Sequence, residues 1–457
     1  MAFSRAKLFI MIGALSASVV LSYLYAFNKG FLSHSHLSPV KLIAPTAYHR
    51  YIAKWFSADK PFWFVSARKV AHTEANIAYL LWLNLRDTKA KEADYWLDKS
   101  IALGSELGAL AKAHALYNSD MDEEAFQLIQ SANDEISQSI KLRLAMRLGK
   151  LDYLNDGNNY TLLSNQEQSA FQQFLSVEEN LSQCTFPLSV YASDFELLDK
   201  WQTFQTELSS HVLGEYYCIA DINYISPQQL ECNMASSQPI TCKEHLWSNV
   251  TIGKETFYLG LMLPRGGANT HQGIMYLDGQ DSFDVFIHEL THFAGFVDEY
   301  KLSENHYVCN KDDGSPFSHN LALLSDFYTG NREAVIEQVL ANVPWREFLD
   351  RTAISLVEIE PGRWSVEPSN NNNIGLYTAE TCQKGSFNIY KPLPSMTNLR
   401  YNALPFPDLY LSFLDQYTFR YNMASYRTNI ARAFANMGAI EQQKFWLQQA
   451  LSYQASR

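Results

Sequence analysis

Between Phe286 and Tyr300 the chain reads FIHELTHFAGFVDEY. His288 and His292 are four residues apart, so on a helix their imidazoles leave one face a turn apart and can reach a single ion. Glu289 sits beside the first histidine, placed to take a proton from water on that ion rather than to bind it. Zinc needs a third protein ligand and an open position. Gly295 can end the helix in a left-handed conformation. The chain then turns back, and Asp298 arrives six residues after His292. A carboxylate oxygen suits zinc at about 2.0–2.2 Å. Asp298 is therefore the expected third ligand and Glu299 the runner-up. Glu337, on the later helical pattern NREAVIEQVLANV, is a third choice that Gly295 argues against. The competing reading is an amphipathic helix carrying two satisfied histidines. The glycine and the acidic pair at these offsets favour metal, and the expected cofactor is Zn2+.

A second constellation lies in PLPSMTNLRYN, where Met396 follows Ser395 in a proline-bounded turn. The pattern HExxHxxGxxD resembles the metzincin arrangement HExxHxxGxxH, with aspartate as third ligand, and metzincins carry a methionine turn beneath the metal. Three segments, HELTHFAGFVDEY, NVPWREFL and IGLYTAETCQKGSFNIYKPLPSMTNLRY, resemble in order those of the IgA-peptidase-type zinc metallopeptidases. The resemblance covers residues 184 to 415 or so. It implies a zinc-dependent endopeptidase with a metzincin-like core, in which His288 and His292 are ligands, Glu289 the catalytic base and Met396 the turn methionine. Thr291 stands where that family usually has glycine, and Met396 is followed by TNLR rather than directly by arginine.

The chemistry expected from these residues is peptide hydrolysis. A protein or peptide substrate would lie extended along an edge strand, residues 273 to 278, pairing through its main chain. Tyr377, Tyr390 and His271 are candidates for stabilising an oxyanion, and each has a structural reading beside it. The rival function is an inactive peptidase fold that serves with the helical repeats as a scaffold for envelope proteins or peptides. The retained Glu289 argues against it.

The elements that must position these residues follow from periodicity. The fold class is α+β. Residues 38–175 read as short helices with apolar residues at three- and four-residue spacing. KEADYWLDKSIALG and QQKFWLQQALSY share a pattern that resembles tetratricopeptide-type hairpins suited to a protein partner, and a plain helical bundle packed on the catalytic part is the equal alternative. From Cys184 the texture becomes strand-like: PLSVYAS, EYYCIADINYIS, TFYLGLML and HQGIMYLDG. DFELLDKWQTFQTELSSHV reads as a helix capped by Asp194, and Asp281 or Ser282 opens the histidine helix. The expected domains are 1–30, a signal anchor; 38–175, helical repeats; 184–420, the zinc peptidase; and 421–457, a helical hairpin turning at Gly438. PSNNNNIG, from Pro368, reads as a surface loop.

Arg5 and Lys7 precede a run from Leu8 to Phe27 without a charge. Twenty helical residues span roughly 30 Å, one bilayer core. The expectation is a single-pass anchor with the catalytic part outside the cytoplasm, and a cleaved export signal is the alternative. Six cysteines, Cys184, Cys218, Cys232, Cys242, Cys309 and Cys382, suit a disulfide framework in an exported domain, and Cys232 with Cys242 is the nearest pairing. Asn159, Asn180 and Asn249 lie in N-x-S/T acceptors. A net charge of −12 argues against a nucleic-acid partner.

Overall fold

The computed structural model describes residues 19–119, 121–150, 153, 156, 185–235, 238–303, 306–310, 315–371, 373–382, 387–417 and 420–455. The chain divides into two compact units, one of Met1–Ala145 with Tyr153–Leu163, the other of Met146–Asp152 with Ser164–Arg457. The architecture is mixed α+β: helices first, then a five-stranded mixed sheet with two small sheets, then helices.

The first unit is helical. After a helix over 19–28 come α1 (Ser38–Ile43), α2 (Pro45–Trp55), α3 (Pro61–Val70), α4 (Ala75–Leu85), α5 (Ala90–Ala102), α6 (Glu106–Tyr117), α7 (Asp122–Leu128) and α8 (Glu135–Arg147). Proline opens α1, α2 and α3, where its missing N–H costs nothing. Consecutive helices pack in pairs: α2 on α3, α4 on α5, α6 on α7. Alanines 67, 71, 78 and 93 let the backbones approach, and Trp63 and Trp96 fill the core between them. Among the described residues no helix is long and apolar enough to cross a membrane. Residues 8–18 of the charge-free run lie outside them.

In the second unit the strands β1 (Phe186–Ala192), β2 (Tyr217–Tyr224), β3 (Tyr258–Leu263), β4 (Asn269–His271) and β5 (Ile274–Asp278) form a sheet in the order β2-β1-β3-β5-β4. All pairings are parallel except β4 on β5. Strands β1 and β3 are buried throughout, as parallel strands covered on both faces must be. The two faces separate by alternation. Leu259, Leu261 and Leu263 join Trp247, Tyr426 and Ile430 in one core. Tyr258 and Gly260 face the other way. There α9 (Phe195–Ser210) lays Trp201 against Gly260, whose missing side chain makes the space. The helix α10 (Phe283–Phe293) stacks Phe293 on Tyr258 at 4.0 Å and brings Phe286 edge-on to Trp201. Asp194 caps α9 through Leu197 N at 3.1 Å, as expected.

The strand expected at the edge is not there. β5 lies between β3 and β4, and the edge on that side is β4. Gln272 and Gly273 both have positive φ, 47° and 87°, and form the two-residue turn of a hairpin pairing His271 with Ile274. A glycine is required at 273, where a Cβ would lie 2.5 Å from Tyr426 N.

Beyond α10 the chain builds β10-β11-β6, from β6 (Ala322–Ser325), β10 (Tyr377–Thr378) and β11 (Phe387–Lys391), and β7-β9-β8, from β7 (Tyr328–Thr329), β8 (Ser355–Glu360) and β9 (Arg363–Glu367). Helices α11 (Arg332–Ala341), α12 (Asp408–Tyr417), α13 (Tyr426–Asn436) and α14 (Ile440–Ala455) complete the unit. Gly438, at φ 72°, turns α13 into α14. Residue 421 is not a packing boundary, because Tyr426 and Ile430 of α13 share the core of the sheet. Disulfides join Cys232 to Cys242 and Cys309 to Cys382, and Cys218 is disulfide-bonded. Such bonds suit a compartment outside the reducing cytoplasm. Cys184, Asn159 and Asn180 lie outside the described residues, and Asn249 is exposed.

Candidate metal centre

Ser282 caps α10 through Val285 N, and the helix runs beside the edge strand, where Thr270 Oγ1 donates to Glu289 O at 3.1 Å. His288, Glu289 and His292 leave one face of it with candidate ligand atoms within 4.8 Å of one another. Each imidazole is held from behind by a backbone carbonyl: His288 Nδ1 at 2.9 Å from Asn398 O, His292 Nδ1 at 3.1 Å from Phe296 O. A carbonyl can only accept, so each Nδ1 donates and each ring turns its Nε2 outward. That is the arrangement of a metal-ligating histidine fixed by an outer partner.

Gly295 ends α10 at φ 84°, with its N–H on His292 O and Phe296 N–H on Thr291 O. A Cβ there would meet Tyr421 O at 2.4 Å, so both conformation and space require glycine. The returning loop is tied down at successive residues. Val297 exchanges hydrogen bonds with the Asn320 amide, Thr381 Oγ1 donates to Asp298 O at 2.9 Å, and Glu299 N donates to Leu399 O at 3.0 Å. The result sets Asp298 Oδ1 3.1 Å from His288 Nε2 and 3.4 Å from His292 Nε2. Asp298 Oδ1 and Glu289 Oε2 are buried without a hydrogen-bond partner. Two imidazole nitrogens and a buried carboxylate oxygen converging on one point fit a divalent cation.

Burial raises the Glu289 carboxyl to about 7, against the opposing pull of His288 and Thr270. Burial also pushes Asp298 upward. There His292, His288 and the Tyr300 hydroxyl outweigh it, and the net shift is below the usual carboxylate range. One group is poised to exchange a proton near neutrality and the other stays ionised.

The remaining candidates sort by what they touch. Glu299 is 2% exposed, and its carboxylate is taken by Lys391 Nζ at 2.9 Å, by Tyr410 OH and by Asn320. Glu337 is exposed and bonded to Arg351. Tyr377 OH is bonded to Asn371 and Asn373, and Tyr390 OH donates to Val366 O. Both hydroxyls are engaged in these bonds. His271 stands half-exposed on the edge strand in the cleft. Met396 requires correction: it is 57% exposed and is not an apolar floor. Its loop does run behind the histidines, but it meets His288 through the Asn398 carbonyl. Tyr300, not singled out from the sequence, lies over the site, its ring 6.3 Å from that of His288. The DEY triplet carried that signal.

A cleft of about 880 Å³ opens on this centre, bounded by Asn269, Thr270 and His271 on one side and by Asp298 and Tyr300 on the other. The edge strand lines the cleft, so an extended chain could add to it. In comparisons with protein-family models, curated proteins and solved structures, nothing matches the chain.

Proposed function

We propose that the protein is a zinc-dependent endopeptidase acting outside the cytoplasm, with His288, His292 and Asp298 as ligands and Glu289 as general base. The observation that carries the reading is the convergence of His288 Nε2, His292 Nε2 and Asp298 Oδ1, with the Glu289 oxygen unpartnered beside them. It is supported by the edge strand in the cleft and by the disulfides. The reading includes a metzincin-like core with the carboxylate as third ligand, tetratricopeptide-like helical pairs ahead of it that suit a protein partner, and an N-terminal membrane anchor. Zinc held there would acidify a bound water and polarise the scissile carbonyl. Glu289 takes up a proton on its buried carboxylate and returns it to the leaving amine. The β4 main chain aligns the substrate, and Tyr300 OH, near Asp298, is the donor best placed to reach a developing oxyanion.

The test pairs metal analysis with turnover of a peptide library. Wild type should carry about one zinc per chain. Glu289→Gln should keep the zinc and lose at least about 100-fold in kcat/KM. Asp298→Ala should lose the metal. A wild-type protein that holds no zinc, or holds it and cleaves no peptide, would remove this reading.

A further inference from the structure

We infer that the first helices of the helical unit form a lipid-facing collar that seats the unit on an anionic bilayer surface. The collar continues from the end of the apolar run Leu8–Phe27 and rests on the reading of that run as an anchor.

Charge supports this first. The chain has 36 Lys and Arg and 48 Asp and Glu, yet no acid occurs before Asp59. The first 58 residues carry Arg5, Lys7, Lys29, Lys41, Arg50 and Lys54, so all of the acidic charge lies beyond them. A basic end on an acidic chain is suited to anionic headgroups, each basic side chain near such a surface adding about 1 kcal/mol.

Exposure supports it independently. Leu42 and Ile43, ending α1, are each 85% exposed, and Phe31 is 72% exposed. Leu42 and Ile43, adjacent in sequence and preceded by Lys41, form an apolar tip with a basic flank, the composition of an interfacial segment. Trp55 adds a half-exposed indole with Lys54 5.0 Å from its ring centre, as at a headgroup boundary.

The third observation is rigidity. The helix over 19–28 is not on a loose tether. Phe27 packs on Tyr51 at 4.7 Å, Tyr23 OH donates to His36 O, and Leu32 exchanges hydrogen bonds with Tyr51 OH. Gly30 lies against the Trp55 ring, where a Cβ would come within 2.5 Å. The end of the apolar helix is thus locked to the surface that carries Phe31 and Trp55. Val19, Val20, Leu21, Leu24 and Tyr25 remain exposed around that helix. A bilayer is the occupant that matches both the apolar tip and the basic surround. A second copy docking by the same face would set one basic flank against another.

The experiment uses the full-length chain in vesicles with about 30% anionic lipid, a content chosen so that surface charge acts. The described cysteines are all in disulfides, so Leu42→Cys or Glu124→Cys gives a site for one environment-sensitive fluorophore. The expected result is a blue-shifted Leu42 label quenched at least three-fold more by headgroup-level lipid quenchers than the Glu124 label. Lys29→Glu with Lys41→Glu should reduce that quenching by half or more. Equal quenching at the two sites overturns the proposal. So does a Leu42 label shielded in detergent in a concentration-dependent way and not quenched by lipid, which would assign the face to a second copy.

Discussion

Lys391→Met removes the ammonium that meets the buried Glu299 carboxylate. The two groups are 2.9 Å apart, and Lys391 also donates to Ser395 O at 2.8 Å. At that separation and an effective dielectric near 20, the attraction is about 6 kcal/mol. Desolvation of the pair offsets much of it, but removing one partner leaves an unpaired buried charge, which costs about 3–5 kcal/mol. Tyr410 OH and Asn320 Nδ2 remain as neutral donors and place the loss toward the lower end. Adding Glu299→Gln should recover at least half, because no charge is then stranded. Urea unfolding with the disulfides intact, followed by tryptophan fluorescence, measures both. Metal analysis of the Glu299→Gln variant separates the two adjacent carboxylates: it should keep its zinc where Asp298→Ala does not. A Lys391→Met cost under about 1 kcal/mol would refute the claim that this pair fastens the loop. Zinc lost from Glu299→Gln and kept by Asp298→Ala would reverse their roles.

Gly295→Ala forces a left-handed alanine and a contact with Tyr421 O. It should cost at least about 1–3 kcal/mol of stability and weaken zinc affinity by displacing Asp298; isothermal titration with zinc reads the second effect. His319 is buried without a partner for Nε2, and burial, then the nearby Arg420, lowers its pKa to about 3. The unfolded chain binds the extra proton from 6.5 down to about 3, so this contribution is fully present above pH 6.5 and lost as pH falls. By pH 5 it removes about 2 kcal/mol. His319→Phe should lose about that much less than wild type between pH 7.5 and pH 5, and denaturation curves of equal pH dependence would exclude the effect.

The local part of the site was legible because it is set by helical geometry. His288 and His292 share a face whatever surrounds them, with Glu289 flanking it, and Gly295 announces a left-handed stop. The strands were legible as buried runs, and Asp194 as a cap. Their order in the sheet was not, because β4 is three residues long and its turn is Gln272-Gly273 rather than the Asn-Gly or Asp-Gly that marks such hairpins. The expected edge, residues 273–278, is therefore one strand inward of the observed one.

Met396 failed for a different reason, and it shows what kind of support the histidines have. A motif match places a loop; it does not say which atom of the loop makes contact. Here the contact is a backbone carbonyl, that of Asn398, and residues 395–399 are positioned by main-chain bonds: Lys391 to Ser395 O, and Glu299 N to Leu399 O. Side-chain identity at 396 is then free of the site, which is why a methionine there can face water. The same bonds tie DEY to YKP in this chain. Asp298 faces the imidazoles, while Glu299, one residue on, reaches the lysine of the strand leading into that turn. Strain at either end is therefore transmitted to the other. A substitution at Lys391, which touches neither histidine, should lower zinc affinity as well as stability, and a matching loss at Met396→Ala would contradict this account.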